Sequence, residues 1–277
     1  MNRILVPTNF SKNADKALDY ALQIAKKVAG EIILLHVCSL PDPEFAEDSD
    51  VMKEHNRLTI IELNAALRRY KCAPGEPWVN IKTILAHGDT VDTIVNKAQQ
   101  YKTDLIIMGT EGAGKLKAFV LGTHTAAVMA KSQIPVITVP RGYNGQPPTD
   151  IVLAIDQEEE KLLLAPVFRL RQLFASSLKT LTFSDKDAEA AELMDQSHTL
   201  RVSTNRWKAD FALAKLESEH LLGDDFCDAI NRYIDDYSVN LLVMVTHRKN
   251  FLQRLFRIST TRKMAYHTHI PLMSLHA

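Results

Sequence analysis

The sequence predicts two tandem α/β domains, each a five-stranded, mostly parallel sheet with helices on both faces. Three observations carry this. Short apolar runs alternate with stretches of helical periodicity, the alternation runs five strands deep before starting again, and the second run lies over the first position by position. Alternating strands and helices put neighbouring strands in parallel, because each crossover is a helix packed back on the sheet.

The repeat is the firmest of the three. Residues 101–112 (YKTDLIIMGTEG) lie over 237–248 (YSVNLLVMVTHR) at an offset of 136, with Tyr101 on Tyr237, Leu105 on Leu241 and Met108 on Met244. The same offset lays 134–139 (IPVITV) on 270–275 (IPLMSL) and Ile94 on Ile230. Residues 4–9 (ILVPTN) match 151–156 (IVLAID) at an offset of 147, so the second copy has lost about eleven residues in its middle. Residues 141–150 (RGYNGQPPTD), with two glycines and two prolines, read as the linker. The domains are therefore expected at 1–142 and 149–277.

Within the first copy, residues 3–7 (RILVP) form a short apolar run followed by turn chemistry, as a buried parallel strand does. Residues 11–30 place Ala14, Ala17, Leu18, Ala21, Leu22 and Ala25 at helical spacing, with Ser11 as N-cap and Gly30 as the stop. A strand over 31–37, a helix over 51–70, a strand over 79–86 and a helix over 89–101 come next. The strand 104–109, a helix beginning near Thr123 and the strand 134–139 complete the copy. The second copy shows strands at 151–155, 178–183, 240–245 and 270–275 and a helix through Phe174, with a middle that the pattern leaves undefined. Residues 157–161 (QEEEK) read as the acidic first turn of that helix, which the helix dipole favours.

Composition narrows the function. With 277 residues, 46% hydrophobic and 24% charged, the chain has ordinary globular composition. Lys+Arg and Asp+Glu both number 33, so no global field draws it to nucleic acid or to an anionic membrane. Its apolar runs fall far short of the ~20 residues of a spanning helix. The start shows no secretory pattern, and the three cysteines (Cys38, Cys72, Cys227) form no C-x-x-C pair. A cytoplasmic protein is expected. His267 and His269 have no third ligand nearby in sequence and read as structural or exposed.

In open sheets of this kind ligands sit beyond the carboxyl ends of the strands. Residues 109–123 follow one such end. Gly109, Gly114 and Lys115 nearly spell the phosphate loop G-x-x-x-x-G-K-[ST], but Leu116 cannot supply the hydroxyl that holds Mg²⁺. Glycines that merely turn the chain are a second reading. A third uses Gly109, Gly112, Gly122 and Thr123, in the spacing G-x2-G-x9-G-[ST]. There, glycines admit close backbone approach, and the helix opened at Gly122–Thr123, with Thr123 as cap, attracts phosphate. Lys115 and Lys117 add charge in the spacer.

This third pattern resembles the nucleotide-binding motif of the universal stress protein family. The opening 4–11 (ILVPTNFS), the 87–95 stretch (HGDTVDTIV) and the Ile-Pro-Val strand are similar too, and the likeness spans the chain as two copies. The resemblance implies Rossmann-like (adenine nucleotide alpha hydrolase-like) domains and ATP or a related adenine nucleotide as ligand. It implies a site at Pro7, Thr8, Asn9, Val37, Met108, Gly109, Gly112, Lys115, Gly122, Thr123 and His124, with adenine near Val37 and ribose near Asn9. It also implies pairing of the two halves through residues 134–139 and 270–275; the sequence does not decide whether whole chains form a homodimer. Asn9 stands where the family commonly has Asp, which weakens the case for Mg²⁺.

The second copy departs further. Gly109 becomes Val245, Gly112 becomes Arg248, Gly122 becomes Ile258 and Thr123 becomes Ser259, so this half is expected to have lost the nucleotide. Residues 247–257 are basic and aromatic, read either as a partner surface or as a solvated loop and helix. Two functions stand side by side: a stress-response regulator binding an adenine nucleotide in its first half, or a nucleotide-free interaction protein with a relic loop. No general base stands in the motif, so at most a slow ATPase or autophosphorylation is expected.

Overall fold

The computed structural model describes residues 1–38, 49–69, 78–110, 122–246 and 270–277. They fall into two compact units, the first ending at Arg141 and the second starting at Gly142.

The first unit runs β1 (Arg3–Pro7), α1 (Lys12–Val28), β2 (Glu31–Cys38), α2 (Ser49–Arg69), β3 (Asn80–His87), α3 (Thr90–Gln100), β4 (Leu105–Gly109), α4 (Thr123–Lys131) and β5 (Val136–Val139). Its strands lie in the order β3-β2-β1-β4-β5, every neighbour parallel. The chain steps outward from β1 to β3, then returns past β1 to β4 and β5. Right-handed crossovers in opposite directions put α1 and α2 on one face and α3 and α4 on the other. Accordingly α1 packs on β1, β2, β4 and β5, while α3 packs on β2 and α4. Ile4, Leu5, Ile33, Leu35, Leu105 and Ile107 are fully buried between these layers.

The second unit repeats the plan: β6 (Asp150–Ala154), α5 (Lys161–Phe174), β7 (Ser177–Asp185), α6 (Ala190–Asp210), β8 (Glu217–Gly223), α7 (Phe226–Tyr237), β9 (Leu241–Thr246) and β10 (Leu272–His276). The order is β10-β9-β6-β7-β8, again all parallel. The undefined middle of the sequence pattern thus holds α6, β8 and α7. Helices α2 and α6 start 141 residues apart, and α3 and α7 start 136 apart. The ends of α1 and α5, Val28 and Phe174, are 146 apart, so the eleven missing residues were lost at three places: one before the end of α5, about five ahead of α6 and five after it.

Local chemistry sets the helix ends. The Ser11 hydroxyl accepts the Ala14 N–H at 3.2 Å, as an N-cap should. Asp89 and Asp225, 136 apart, cap α3 and α7 alike, accepting from the N–H of Asp92 and Asp228. Two expectations need correction. The left-handed residue ending α1 is Ala29 (φ 48°), not Gly30, whose N–H bonds back to the Ala25 carbonyl. Gly30 is needed for space, because a Cβ there would stand 3.0 Å from the Asn2 carbonyl oxygen. Nor are the acids of 157–161 the first turn of α5, which begins at Lys161 and has none. Glu158 pairs instead with Arg206 at 2.5 Å, and the Glu159 carbonyl accepts the Trp207 indole N–H at 3.2 Å. Both tie this segment to α6.

Among the described residues, no helix is long and apolar enough to cross a membrane.

The exposed left-handed alanines Ala29 and Ala175 (φ 48° and 52°) carry Cβ strain that glycine lacks. Ala29→Gly and Ala175→Gly should each stabilise the protein by about 0.5 kcal/mol, the relieved strain exceeding the entropy of a freer unfolded chain. Urea denaturation measures this; a fall in midpoint for both would contradict it.

Candidate functional site

The site begins where the central strand stops. Strand β1 ends at Pro7, paired with Leu35, while β2 continues to Cys38. Proline has no N–H to give the ladder, and β1–β4 pairing covers only Ile4–Leu105 and Leu5–Ile106. In the second unit Ala154 takes the place of Pro7, and the matching ladder runs on to Ala154–Met244. The Leu35 carbonyl accepts the Thr8 N–H at 2.8 Å, so it faces β1. Backbone groups alternate sides along a strand. The N–H and C=O of Val37 therefore face the same way, beyond the end of β1.

A cavity of about 450 Å³ opens in this gap, within the ~300–1,000 Å³ range of small-molecule sites. It brings together Pro7, Thr8 and Asn9 from the end of β1, Val37 from β2, and Met108 and Gly109 from β4. Gly122, Thr123 and His124 from the start of α4 complete the set. Gly112 and Lys115 lie outside the described residues. The sequence reading missed His36, Thr90 and Ile94, which also line the cavity. Thr90 was detectable, since it opens the helix that the 87–95 stretch announces.

Two helices aim their N-termini here, α3 at Thr90 and α4 at Thr123. The cap of α4 differs from expectation. Gly122 holds the cap position without a side-chain bond, and Thr123 is the first helical residue. Gly122 donates its N–H to the Thr110 carbonyl at 2.5 Å, and the first helical bond runs from Ala126 to Gly122. The N–H groups of Thr123, His124 and Thr125 are thus left without carbonyl partners among the described residues, as the first turn of a helix requires. The Thr125 hydroxyl donates to the Gly109 carbonyl at 2.9 Å and ties α4 to the tip of β4.

Gly109 has a reason of its own. A Cβ there would meet the Asn13 side-chain nitrogen at 2.7 Å and the Asn13 carbonyl oxygen at 3.0 Å. The glycine lets α1 close on β4, whatever approaches from the cavity side. Asn13 is only 6% exposed, and neither atom of its carboxamide has a protein partner.

Among the described residues the lining holds no Asp, Glu, Lys or Arg; its titratable groups are His36 and His124. The His36 Nδ1 lies 2.8 Å from the Thr8 carbonyl, which can only accept, so Nδ1 carries the proton. The Phe10 ring stacks on this imidazole at 4.6 Å, with Phe10 itself at φ 61°. No activated thiol stands nearby. Burial raises the Cys38 thiol above its ordinary pKa, and Cys227 is pushed up to about 12 by burial and by Asp225 and Asp228. Both are protonated at neutral pH and poor nucleophiles.

At the equivalent strand ends of the second unit, the described residues leave far less room. A space of about 30 Å³ remains, lined by Ala154, Ile155 and Asp156 at the end of β6. The Ile155 N–H bonds the Leu181 carbonyl as the Thr8 N–H bonds that of Leu35, so Phe183 stands in the place of Val37; Phe226 stands for Thr90, and the two rings meet edge to face at 5.4 Å. Val245, in the place of Gly109, is 2% exposed. Arg248, Ile258, Ser259, the 247–257 stretch and His267 and His269 lie outside the described residues.

The family comparison decides what this doubled frame is. The model of the universal stress protein family matches residues 1–140 and again 148–276. The chain belongs to the universal stress protein family. A universal stress protein of Bacillus subtilis, YxiE, is 30% identical over 146 residues, covering 50% of this chain and 98% of its own. One from Methanocaldococcus jannaschii is 30% identical over 157 residues, covering 50% of this chain and 94% of its own. Such relatives correspond to one copy, and this chain carries two. The crystal structure of a universal stress protein from Archaeoglobus fulgidus matches 99% of this chain and 96% of its own, with a TM-score of 0.69 and 20% identity. That likeness is one of fold, and it extends to the tandem form.

Gly109→Ala should destabilise the protein by about 1–3 kcal/mol through overpacking against Asn13. A shift of that size in the urea midpoint, without any ligand present, is the expected result. An unchanged midpoint would leave the close approach of α1 without consequence.

Proposed function

We propose that the first unit binds ATP or a related adenine nucleotide, and that this family member acts as a regulator whose conformation or partners respond to that ligand. The observation that carries the reading is the contrast between the copies. The same frame encloses about 450 Å³ where two helix N-termini converge and about 30 Å³ where two phenylalanines meet.

The chemistry of the open cavity suits a nucleotide. Phosphate is drawn to the free N–H groups of Thr123, His124 and Thr125 and to the positive end of α4. Gly122 admits it without a Cβ. Val37 offers an N–H and a C=O side by side, the donor–acceptor pair that an adenine edge requires. Asn9 and Thr8 lie between these ends, at the position for a ribose. Lys115 adds a cation from the adjoining spacer. Residues 1–142 then form the binding domain and 149–277 its filled copy. A regulatory rather than catalytic role follows from the lining, which offers no carboxylate base and no low-pKa thiol among its described residues. A cytoplasmic setting belongs to the same reading.

Isothermal titration with ATP tests this. One equivalent should bind the wild-type chain, and both Gly122→Val, which blocks the phosphate end, and Thr90→Phe, which copies the second-unit plug, should weaken it at least about tenfold. Equal binding by all three proteins would remove the site. No binding by the wild type would favour the nucleotide-free interaction protein.

A further inference from the structure

Nucleotide polyphosphates ordinarily travel with a divalent cation, held by carboxylate and phosphate oxygens. Among the described residues, the first unit's donor set does not fit one. No carboxylate lines the described part of the cavity, and no group of three or more metal-ligating side chains occurs among the described residues.

Asn9 is the nearest candidate, and its oxygen is already used. The Asn9 Oδ1 accepts the Ser11 N–H at 3.2 Å, a side-chain turn that leads into α1. That leaves Asn9 one oxygen lone pair, directed by the turn, and its whole NH₂, a donor.

The loop around it holds this orientation. The Phe10 N–H is bound by the Thr8 hydroxyl at 3.0 Å. Phe10 sits in the left-handed region at φ 61°, costly for a bulky aromatic residue. It is kept there by stacking on His36, whose Nδ1–H is pinned to the Thr8 carbonyl at 2.8 Å. Turning the Asn9 oxygen toward the cavity would undo the Ser11 bond and disturb this clamp. A strained residue that persists within a network of bonds marks a conformation selected for its use. Here the use is to offer the anionic part of the ligand N–H donors: Asn9 at one end, and Thr123, His124 and Thr125 at the other.

Resting on the nucleotide reading above, we infer that the first unit takes its nucleotide as the free anion, without a divalent cation. Asn9 donates through Nδ2 to a ligand oxygen, and His36 and Phe10 are positioning residues that hold the Asn9 loop. Asn9→Asp preserves the turn, since one carboxylate oxygen can still accept the Ser11 N–H. It exchanges the donor for a negative charge, so that a cation becomes necessary.

ATP titrations in excess EDTA and in millimolar Mg²⁺ test this on the full chain. Wild-type affinity should be as high in EDTA as in Mg²⁺, or higher. Asn9→Asp should lose about tenfold in EDTA and recover with Mg²⁺. Wild-type binding that requires Mg²⁺ overturns the inference, as does an Asn9→Asp protein that matches the wild type in both buffers. If the wild type binds no nucleotide under either condition, the nucleotide reading falls first and this inference with it. The side-chain amide resonances of Asn9 in the wild type give a measure that needs no variant. They should shift on adding ATP in EDTA, and unmoved resonances with ATP bound would refute the donor role.

Discussion

Proline at position 7 ends the central strand before its neighbours, and the rest of the site is built in the gap it leaves. A residue with an N–H could extend the ladder to β4, as Ala154 does for β6 and β9 in the second unit. Pro7 has no such donor, and beyond its pairing with Leu35 the chain turns away through Thr8, Asn9 and Phe10. Strand β2 is then left with one bare edge at Val37. Two helix N-termini look into the same gap, because crossovers of opposite direction diverge at β1. A crevice, two positive dipole ends and an unpaired strand edge all follow from where one strand stops.

The two copies show how little is needed to keep or lose such a site. Strand order, register and even the capping aspartates Asp89 and Asp225 are retained. Among the described residues the wall differs by Phe183 in the place of Val37 and Phe226 in the place of Thr90. Both rings are half-buried, so each contributes less than the ~1.5–3 kcal/mol of a fully buried side chain, but the sign favours filling the space. Keeping it open forgoes that gain and also tolerates Phe10 in a strained conformation. A fold under selection for stability alone would lose both features, and the second unit has lost both: no residue near Asp156 has a positive φ.

Much of this was legible in the sequence, for identifiable reasons. Strand–helix alternation and the repeat depend on burial periodicity, which a buried parallel sheet writes strongly, and the element order follows from it; the family came from the resemblance of the glycine motif. The described residues named from the glycine motif gather in one cavity because the motif spans β4 and α4, which meet there. What stayed hidden depends on contacts between distant segments. Nothing local says that Gly109 faces Asn13, that Glu159 bonds Trp207 instead of opening a helix, or that Ala29 rather than Gly30 takes the left-handed turn. The phenylalanine plug lay between these cases. Both rings stand in the places of cavity residues, Val37 and Thr90, but on β7 and α7, away from the glycine motif, and a one-residue shift in the repeat ahead of β7 hides the first.

The glycine positions also have packing roles of their own. At Gly109 the obstacle to a side chain is Asn13, buried in the first turn of α1 and pressed against β4. The two helices end 146 apart, at Val28 and Phe174, which puts Glu159 in the place of Asn13, and α5 starts only at Lys161, three residues later than α1 on that alignment. The delay has a cause in α6. Trp207, fully buried where α2 has Ala66, draws in the Glu159 carbonyl through its indole N–H. Val245, in the place of Gly109, is buried on β9. The exchange of glycine for a branched residue here therefore goes with a later helix start and with the buried Trp207 of α6, and is one part of a repacked corner of the second unit.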